Sequence, residues 1–385
     1  MKKISLLCCV LMVSGCSSLK FWESDEEKAV APAKLVKFEE ETELRKQWSR
    51  GAGDGQDPLY ATLVPALVNG VLYTADGEGR VYAIDGTSGD VLWDTKLDRP
   101  LSGGVGVGGG LVLVGDLRGR LFALDAGTGE QRWRTHINSE ILSAPAVNDQ
   151  VVVVQAQDAR LLGLSATDGS VLWQYTTDSP ALTLRGTSAP VMTDATVVTG
   201  FANGKIVALN PANGVVLWEG RVALPKGRTE LERMVDIDAA PLLVGDVVYV
   251  TSYQGRAAAM SRGTGRALWY QDISSHHQPA FGLDQVYISE AGDKLTALRA
   301  NSGQVLWTNS DLTYRGLTSP IYVDGYLVVG DAEGYLHVLS PVDGRFVGRD
   351  KVNGSGISST MVTDGKTLYV LANNGKMVAY RFEKP

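Results

Sequence analysis

The 385-residue sequence is poor in cysteine, histidine and positive charge. Its three cysteines are Cys8, Cys9 and Cys16, all close to the N-terminus, so a disulfide framework in the body of the chain is excluded. Lysine and arginine number 36 against 43 aspartates and glutamates, a formal net charge of −7. This balance argues against a nucleic-acid partner.

The first residues are typical of an export signal. Lys2 and Lys3 precede an apolar run, Ile4 to Val13, that is too short to span a bilayer. Val13-Ser14-Gly15-Cys16 follows and resembles a bacterial lipobox, in which the cysteine is acylated before cleavage. We therefore expect residues 1–15 to be a signal peptide and Cys16 to carry a lipid anchor. By the same resemblance, Ser17 in place of Asp directly after the cysteine indicates the outer membrane. The alternative to a lipobox is an ordinary secretory signal with an incidental cysteine.

Residues 16–46 are acidic and show little apolar periodicity, as in Glu39-Glu40-Glu41. This composition predicts a tether between the lipid and the body of the chain, with room for a short helix around Phe38 to Gln47. We place the folded body at residues 47–385.

Tryptophans mark a long internal repeat. The spacings between them are 45, 40, 40, 45, 51 and 38 residues, for Trp48, Trp93, Trp133, Trp173, Trp218, Trp269 and Trp307. Each interval contains four short apolar segments separated by turn residues, and it ends on a Gly-x-x-Leu-Trp-like motif. Four-stranded units of this length predict an all-β fold, a β-propeller of antiparallel blades.

The count predicts eight blades. Seven complete units end at Trp93 and its successors, the last of them in the degenerate Gly344-Arg345-Phe346-Val347-Gly348. Trp48 is then a fourth strand without the first three, and residues 358–380 supply three strands without a fourth. We predict that these two segments share the eighth blade and close the ring, which leaves no open sheet stack. The tryptophans are expected to seal one blade against the next.

Two repeats resemble the quinoprotein-type propellers, at Ala83-Ile84-Asp85-Gly86-Thr87-Ser88-Gly89 and Ala123-Leu124-Asp125-Ala126-Gly127-Thr128-Gly129. Pyrroloquinoline-quinone dehydrogenases of that kind often stack the cofactor on a vicinal Cys-Cys disulfide, whereas the mature chain would keep one cysteine. The body also has no insertion large enough to form a lid. We predict no catalytic residue and no cofactor, and a quinone-dependent dehydrogenase is the alternative.

The sequence gives no indication of metal or phosphate binding. His276 and His277 are adjacent, but neighbours on an extended strand point to opposite faces and chelate poorly. Gly104 to Gly109 matches G-x-G-x-x-G, yet no helix pattern follows it. We expect these glycines on the first strand of a blade, where strands crowd near the axis.

The connectors between blades depart most from the repeat. Glu140, Arg185, Asp236 and Arg315 each lie five residues before the proline of a first strand, and equivalent positions should ring one mouth of the channel. Leu182-Thr183-Leu184-Arg185 and Asp236-Ile237-Asp238 should therefore lie side by side. Leucines next to charges suit a protein partner, and the alternative is that the leucines tuck under while the charges pair with each other.

The lipobox, the acidic tether, the eight blades and these two connectors together resemble the BamB family, propeller lipoproteins of the β-barrel assembly machinery. The resemblance spans essentially the whole chain, and its specific motifs are Leu182-x-Leu184-Arg185-Gly186-x-Ser188-Ala189-Pro190 and Asp236-x-Asp238. It implies a non-enzymatic scaffold that binds the periplasmic POTRA domains of BamA through Leu182, Leu184, Arg185, Asp236 and Asp238. Through BamA it would join the other subunits of the BAM complex and assist insertion of β-barrel proteins.

The same resemblance implies a place on the outer membrane of a Gram-negative bacterium, held by the lipid and facing the periplasm. It also suggests that exposed blade edges bind nascent barrel strands by β-augmentation. A scaffold for another periplasmic complex is a further alternative, since a propeller fold does not fix function.

Overall fold

The computed structural model describes residues 31–56 and 62–384, and these form a ring of eight β-blades. This confirms the predicted fold class. Within the described ranges no α-helix occurs, so the expectation of a short helix around Phe38 to Gln47 is wrong. These ranges also contain no helix that is long and apolar enough to cross a membrane. Cys16 and the signal peptide lie outside the described residues.

The strands of the first four blades follow one another in the chain. Blade 1 contains β3 (Ala66–Val68), β4 (Val71–Ala75), β5 (Arg80–Asp85) and β6 (Val91–Lys96). Blade 2 contains β7 (Gly103–Gly108), β8 (Leu111–Gly115), β9 (Arg120–Asp125) and β10 (Gln131–His136). Blade 3 contains β11 (Ala146–Val147), β12 (Val151–Gln155), β13 (Arg160–Ser165) and β14 (Val171–Thr176). Blade 4 contains β15 (Val191–Met192), β16 (Val197–Gly200), β17 (Lys205–Leu209) and β18 (Val216–Arg221).

The next three blades repeat this order. Blade 5 contains β19 (Leu242–Val244), β20 (Val247–Thr251), β21 (Ala257–Ser261) and β22 (Ala267–Gln271). Blade 6 contains β23 (Ala280–Gly282), β24 (Gln285–Ser289), β25 (Leu295–Arg299) and β26 (Val305–Asn309). Blade 7 contains β27 (Ile321–Val323), β28 (Tyr326–Gly330), β29 (Tyr335–Leu339) and β30 (Phe346–Lys351).

Blade 8 combines both ends of the chain, as predicted. Its strands are β31 (Val362–Thr363), β32 (Leu368–Leu371), β33 (Lys376–Glu383) and the N-terminal β1 (Glu43–Gly51). β1 is antiparallel to β33, with Glu43 opposite Glu383 and Gly51 opposite Lys376. The propeller strands therefore begin at Glu43, within the segment whose composition predicts a tether. One strand departs from the repeat, since β2 (Thr62–Leu63) pairs in parallel with β7 as a fifth strand of blade 2.

The core lies between blades. The second and third strands of each blade are almost entirely buried, as in β12, because valine and leucine on both faces meet the blades on either side. Val152 and Val154 of blade 3, for example, pack with Leu113 and Leu121 of blade 2. Each such side chain stabilises the fold by about 1.5–3 kcal/mol when it is fully buried.

A tryptophan joins each of seven blades to its successor. Its indole Nε1 donates a hydrogen bond of 2.6–2.9 Å to a carbonyl oxygen in the turn of the next blade, as from Trp133 to Ala166. The ring covers a glycine with positive φ in that turn, so a Cβ on Gly169 would lie 2.5 Å from the Trp133 ring. This confirms that the tryptophans are structural residues that seal the blades.

The eighth junction is built differently. Gly348 occupies the tryptophan position of blade 7, since it pairs with Val338 as Trp173 pairs with Gly163. Thr42 fills the space in place of an indole, because a Cβ on Gly348 would lie 2.7 Å from its carbonyl oxygen. The Thr42 hydroxyl donates to the carbonyl of Glu383 at 3.1 Å and so links blade 7 to blade 8.

The N-terminal segment, residues 33–42, lies along the outer strand of blade 7. The amide of Ala33 donates to the carbonyl of Thr313 at 2.9 Å, and the amide of Thr42 donates to Val347 at 3.0 Å. Phe38 packs on Phe346 with ring centroids 5.6 Å apart. Part of the acidic stretch is thus held against the propeller.

Buried charges hold this segment. Arg315 donates to the carbonyl of Ala33 at 2.8 Å and to the Asp331 carboxylate, and Arg349 donates to the carbonyl of Val36 at 3.0 Å. His337 joins the two arginines, because its Nε2 lies 2.9 Å from Asp331 and its Nδ1 accepts from Arg349. Burial lowers the pKa of His337, which fits a neutral ring in that position.

We define the connector face as the side of the ring that carries the connectors between blades and the turns between second and third strands.

First strands of neighbouring blades, such as β7 and β11, contact each other around the axis. The glycines of β7 allow this approach, since a Cβ on Gly106 would lie 2.0 Å from the carbonyl of Pro145. The glycine-rich run is therefore a first strand, as expected.

Substitution of Gly169 tests the junction. Gly169→Ala places a methyl group against Trp133, so we expect it to lower the free energy of unfolding by about 1–3 kcal/mol more than Gly70→Ala does. Gly70 is the matched control because it also has positive φ, +78° against +73°, but has nothing within 4 Å of a Cβ. Equilibrium unfolding in urea measures both, and equal losses would contradict the junction's role.

Candidate functional site

The candidate site lies on the connector face between blades 3, 4 and 5. Its first part is the 182–185 loop, residues 182–185 of the connector from β14 to β15. Its second part is the following connector, from β18 to β19, which contains Asp236 and Asp238. The Ser188 hydroxyl donates to the carbonyl of Ala239 at 2.9 Å and ties the two connectors together.

Asp236 holds the 182–185 loop from beneath. Its Oδ2 accepts a hydrogen bond from the backbone amide of Leu184, and its side chain is 0% exposed. Its Oδ1 is buried without a hydrogen-bond partner among the described residues. In this structure Asp236 supports the loop and does not face solvent.

Leu182 and Arg185 form the outer surface of the loop. Leu182 is 47% exposed, while Leu184 is half-buried next to its contact with Asp236. The Arg185 guanidinium is exposed and lies 3.7 Å from the Glu140 carboxylate, a solvent-screened ion pair that contributes little to stability. One apolar and one cationic side chain are thus presented on a loop with a fixed backbone.

The carboxyl of Asp238 lies behind the loop. It is half-buried and lines a narrow cavity with Gln157, Ser188 and Phe201. Burial, reinforced by the charge of Asp236, raises the pKa of Asp238 to about 7. Burial also raises the pKa of Asp236 to about 6, because its effect exceeds that of the Leu184 hydrogen bond, which lowers the pKa.

The structure therefore brings the five predicted residues together but exposes them unequally. Leu182 and Arg185 are exposed, whereas Asp236 and Asp238 lie beneath and behind them. The expected ring of equivalent positions is only partly formed at the surface. Glu140 and Arg185 meet in an ion pair, but Arg315 is buried against Asp331.

Two further leucines are exposed on the next connector and were not among the predicted site residues. Leu224 is 54% exposed and Leu231 is 63% exposed, both in the connector that follows Trp218. A capping arrangement fixes the turn that carries Leu231, since the Glu232 carboxylate accepts from the amide of Thr229 and the Thr229 hydroxyl accepts from the amide of Glu232. Two sequence features could have indicated this connector. They are the long spacing after Trp218 and the Thr-x-x-Glu pattern of a capping box.

The adjacent histidines do not behave as the sequence suggested. His276 and His277 lie in a connector and not on a strand, and their ring centroids are only 4.0 Å apart, so the expectation of opposite faces is wrong. Burial, together with the charge of His276, lowers the pKa of His277 to about 3. Across residues 31–56 and 62–384, no group of three or more His, Cys, Asp or Glu side chains is placed to hold a metal ion.

Comparison with known proteins identifies the family. The family described as "Outer membrane protein assembly factor BamB" matches residues 29–100, 77–309 and 291–384. The chain belongs to the BamB family. A BamB from Pseudomonas aeruginosa is 52% identical over 379 residues, which cover 98% of each chain. The BamB of Escherichia coli is 35% identical over 376 residues, which cover 95% of each.

Solved structures agree with the BamB assignment. The crystal structure of BamB from Moraxella catarrhalis superposes with a TM-score of 0.81 at 29% identity and covers 88% of this chain and 99% of its own. A quinohemoprotein alcohol dehydrogenase from Comamonas testosteroni superposes with a TM-score of 0.68 at 15% identity, over 88% of this chain and 76% of its own. At that identity the likeness shows the shared propeller fold alone.

The raised carboxyl pKa values predict a pH dependence. A carboxyl whose pKa is raised in the folded state adds stability below its unfolded pKa and loses it as pH rises through the folded value. Wild-type stability should therefore fall between pH 5 and pH 8, and Asp238→Asn should reduce that fall by about 2 kcal/mol. Urea unfolding at the two pH values measures this, and parallel losses in both proteins would refute the burial of this charge.

Proposed function

We propose that this chain is a scaffold lipoprotein of the BAM complex that assists assembly of outer-membrane β-barrel proteins without catalysis of its own. Its relatives from Pseudomonas aeruginosa and Escherichia coli are named outer membrane protein assembly factors. In this proposal the chain docks on the periplasmic POTRA domains of BamA and reaches the other BAM subunits through BamA. The observation that carries it is the 182–185 loop, which presents Leu182 and Arg185 over the buried Asp236.

Preorganisation of the 182–185 loop favours binding. A loop with a mobile backbone loses conformational entropy when it binds, and that loss weakens the complex. The hydrogen bond from Leu184 to Asp236 and the bond between Ser188 and Ala239 fix the loop before a partner arrives. Leu182 then contributes apolar area at the centre of the contact, and the next connector offers further exposed apolar side chains at Leu224 and Leu231.

Leu182→Glu tests the docking surface. A charge at the centre of an apolar contact stays desolvated and unpaired, so we expect affinity for the POTRA domains of BamA to fall at least about tenfold, or 1.4 kcal/mol. Leu172→Glu is the matched control, because Leu172 is 51% exposed on an outer strand away from the connector face. Biolayer interferometry with both variants measures the difference, and wild-type affinity in Leu182→Glu would overturn this docking surface.

The proposed anchor is the acylated thiol of Cys16, which lies outside the described residues. Two or more acyl chains hold a protein on a membrane stably, and this is the role we assign to the anchor at the outer membrane. Cys16→Ser should therefore release the chain into the soluble periplasmic fraction without changing its fold. Fractionation and mass spectrometry of the intact protein check this, and membrane retention of the serine variant would contradict the lipobox assignment.

A further inference from the structure

A cluster of arginines lies on the connector-face side of blade 2, next to the candidate site. Arg99, Arg118, Arg120, Arg134 and His136 line one open groove of about 610 Å³, which we call the arginine groove. Arg99 comes from the connector between β6 and β7, Arg118 from the turn between β8 and β9, and Arg134 from the outer strand β10. Three separate segments thus bring cations to one place.

Most of this positive charge is not neutralised within the described chain. Arg120 binds the buried Asp116 carboxylate at 2.5 Å, so its role is structural. Arg99, Arg118 and Arg134 are exposed and form no ion pair with any described residue. Three free guanidinium groups in one groove are a distinct feature in a chain whose formal net charge is −7.

The acids that line the hollow next to the arginine groove are already paired. A second hollow of about 500 Å³ adjoins it, shares Arg118 and His136, and is lined by Glu140 and Asp158. Glu140 pairs with Arg185, and Asp158 pairs with Arg160 at 2.7 Å. The two joined hollows therefore keep a surplus of positive charge.

This surface is continuous with the 182–185 loop. Glu140 lines the second hollow and contacts Arg185, so a protein seated on Leu182 and Arg185 extends over the arginine groove with little further reach. Guanidinium groups bind carboxylates through paired, charge-assisted hydrogen bonds. Positive charge at the rim of an interface also accelerates the encounter with an acidic partner.

We propose that the arginine groove binds an acidic segment, a run of aspartate and glutamate side chains, of the same protein that docks on the 182–185 loop. This inference rests on the proposed function. Leu182 contributes the apolar contact, and Arg99, Arg118 and Arg134 draw the partner in and fix its orientation.

The test is the association rate of the full lipoprotein, in detergent, with the POTRA domains of BamA. Arg118→Ala combined with Arg134→Ala should lower the association rate about threefold or more at about 0.05 M salt and converge with wild type at about 0.5 M salt, where the charges are screened. Arg266→Ala with Arg299→Ala is the matched control, because both arginines are exposed on the opposite face and the change in net charge is equal. The control should follow the wild-type rates.

The outcomes separate the two proposals. If the wild type binds and the double variant Arg118→Ala with Arg134→Ala associates at the same rate, the arginine groove is overturned and the docking surface is left in place. No binding by the wild-type lipoprotein overturns the proposed function and this inference with it. The lipid arm uses Cys16→Ser protein, which lacks the anchor. If vesicles with phosphatidylglycerol bind this protein but not its Arg118→Ala and Arg134→Ala variant, and the POTRA rates stay equal, the groove is a lipid phosphate site and the acidic segment is refuted.

Discussion

The contact of a tryptophan with a glycine of the next blade is the constraint on which the ring depends. An indole can lie against the following turn only if that turn has no Cβ, and the positive φ of Gly169 and its equivalents also favours glycine. The Nε1 hydrogen bond then fixes the angle between blades, since Trp133 must reach the carbonyl of Ala166. Seven repetitions set the curvature that eight blades need to close.

Closure is achieved where this contact is missing. A tryptophan at Gly348 would occupy the space that Thr42 fills, so the N-terminal segment replaces the indole at the junction of blades 7 and 8. Backbone hydrogen bonds to Val347 and the pairing of β1 with β33 then join both ends of the chain. The network of Arg315 and Arg349 adds specificity there, because each guanidinium donates a hydrogen bond to a backbone carbonyl of the N-terminal segment, at Ala33 and Val36.

Much of the fold could be predicted because the signal repeats. The tryptophan period and the glycine turns recur in each interval, so the number of blades and the shared closing blade follow from local chemistry. The use of Thr42 at Gly348 could not be predicted, since the two residues are 306 positions apart and no repeat predicts their contact. The burial of Asp236, which the family resemblance names as a binding residue, could not be predicted either, because its 0% exposure depends on how two connectors fold over each other.

The candidate site costs the molecule stability, and this explains why it differs from the repeat. Asp236 is buried with one oxygen lacking a partner, and Asp238 lies next to it with a pKa raised to about 7. Apolar residues at these two positions would avoid the desolvation of two carboxyl groups. An apolar side chain at position 236 could not accept from the Leu184 amide, whereas the Asp236 carboxylate does and so fixes the loop that carries Leu182 and Arg185. The regular junctions supply the stability that permits this exception, so the residues that least resemble the repeat are those of the proposed binding surface.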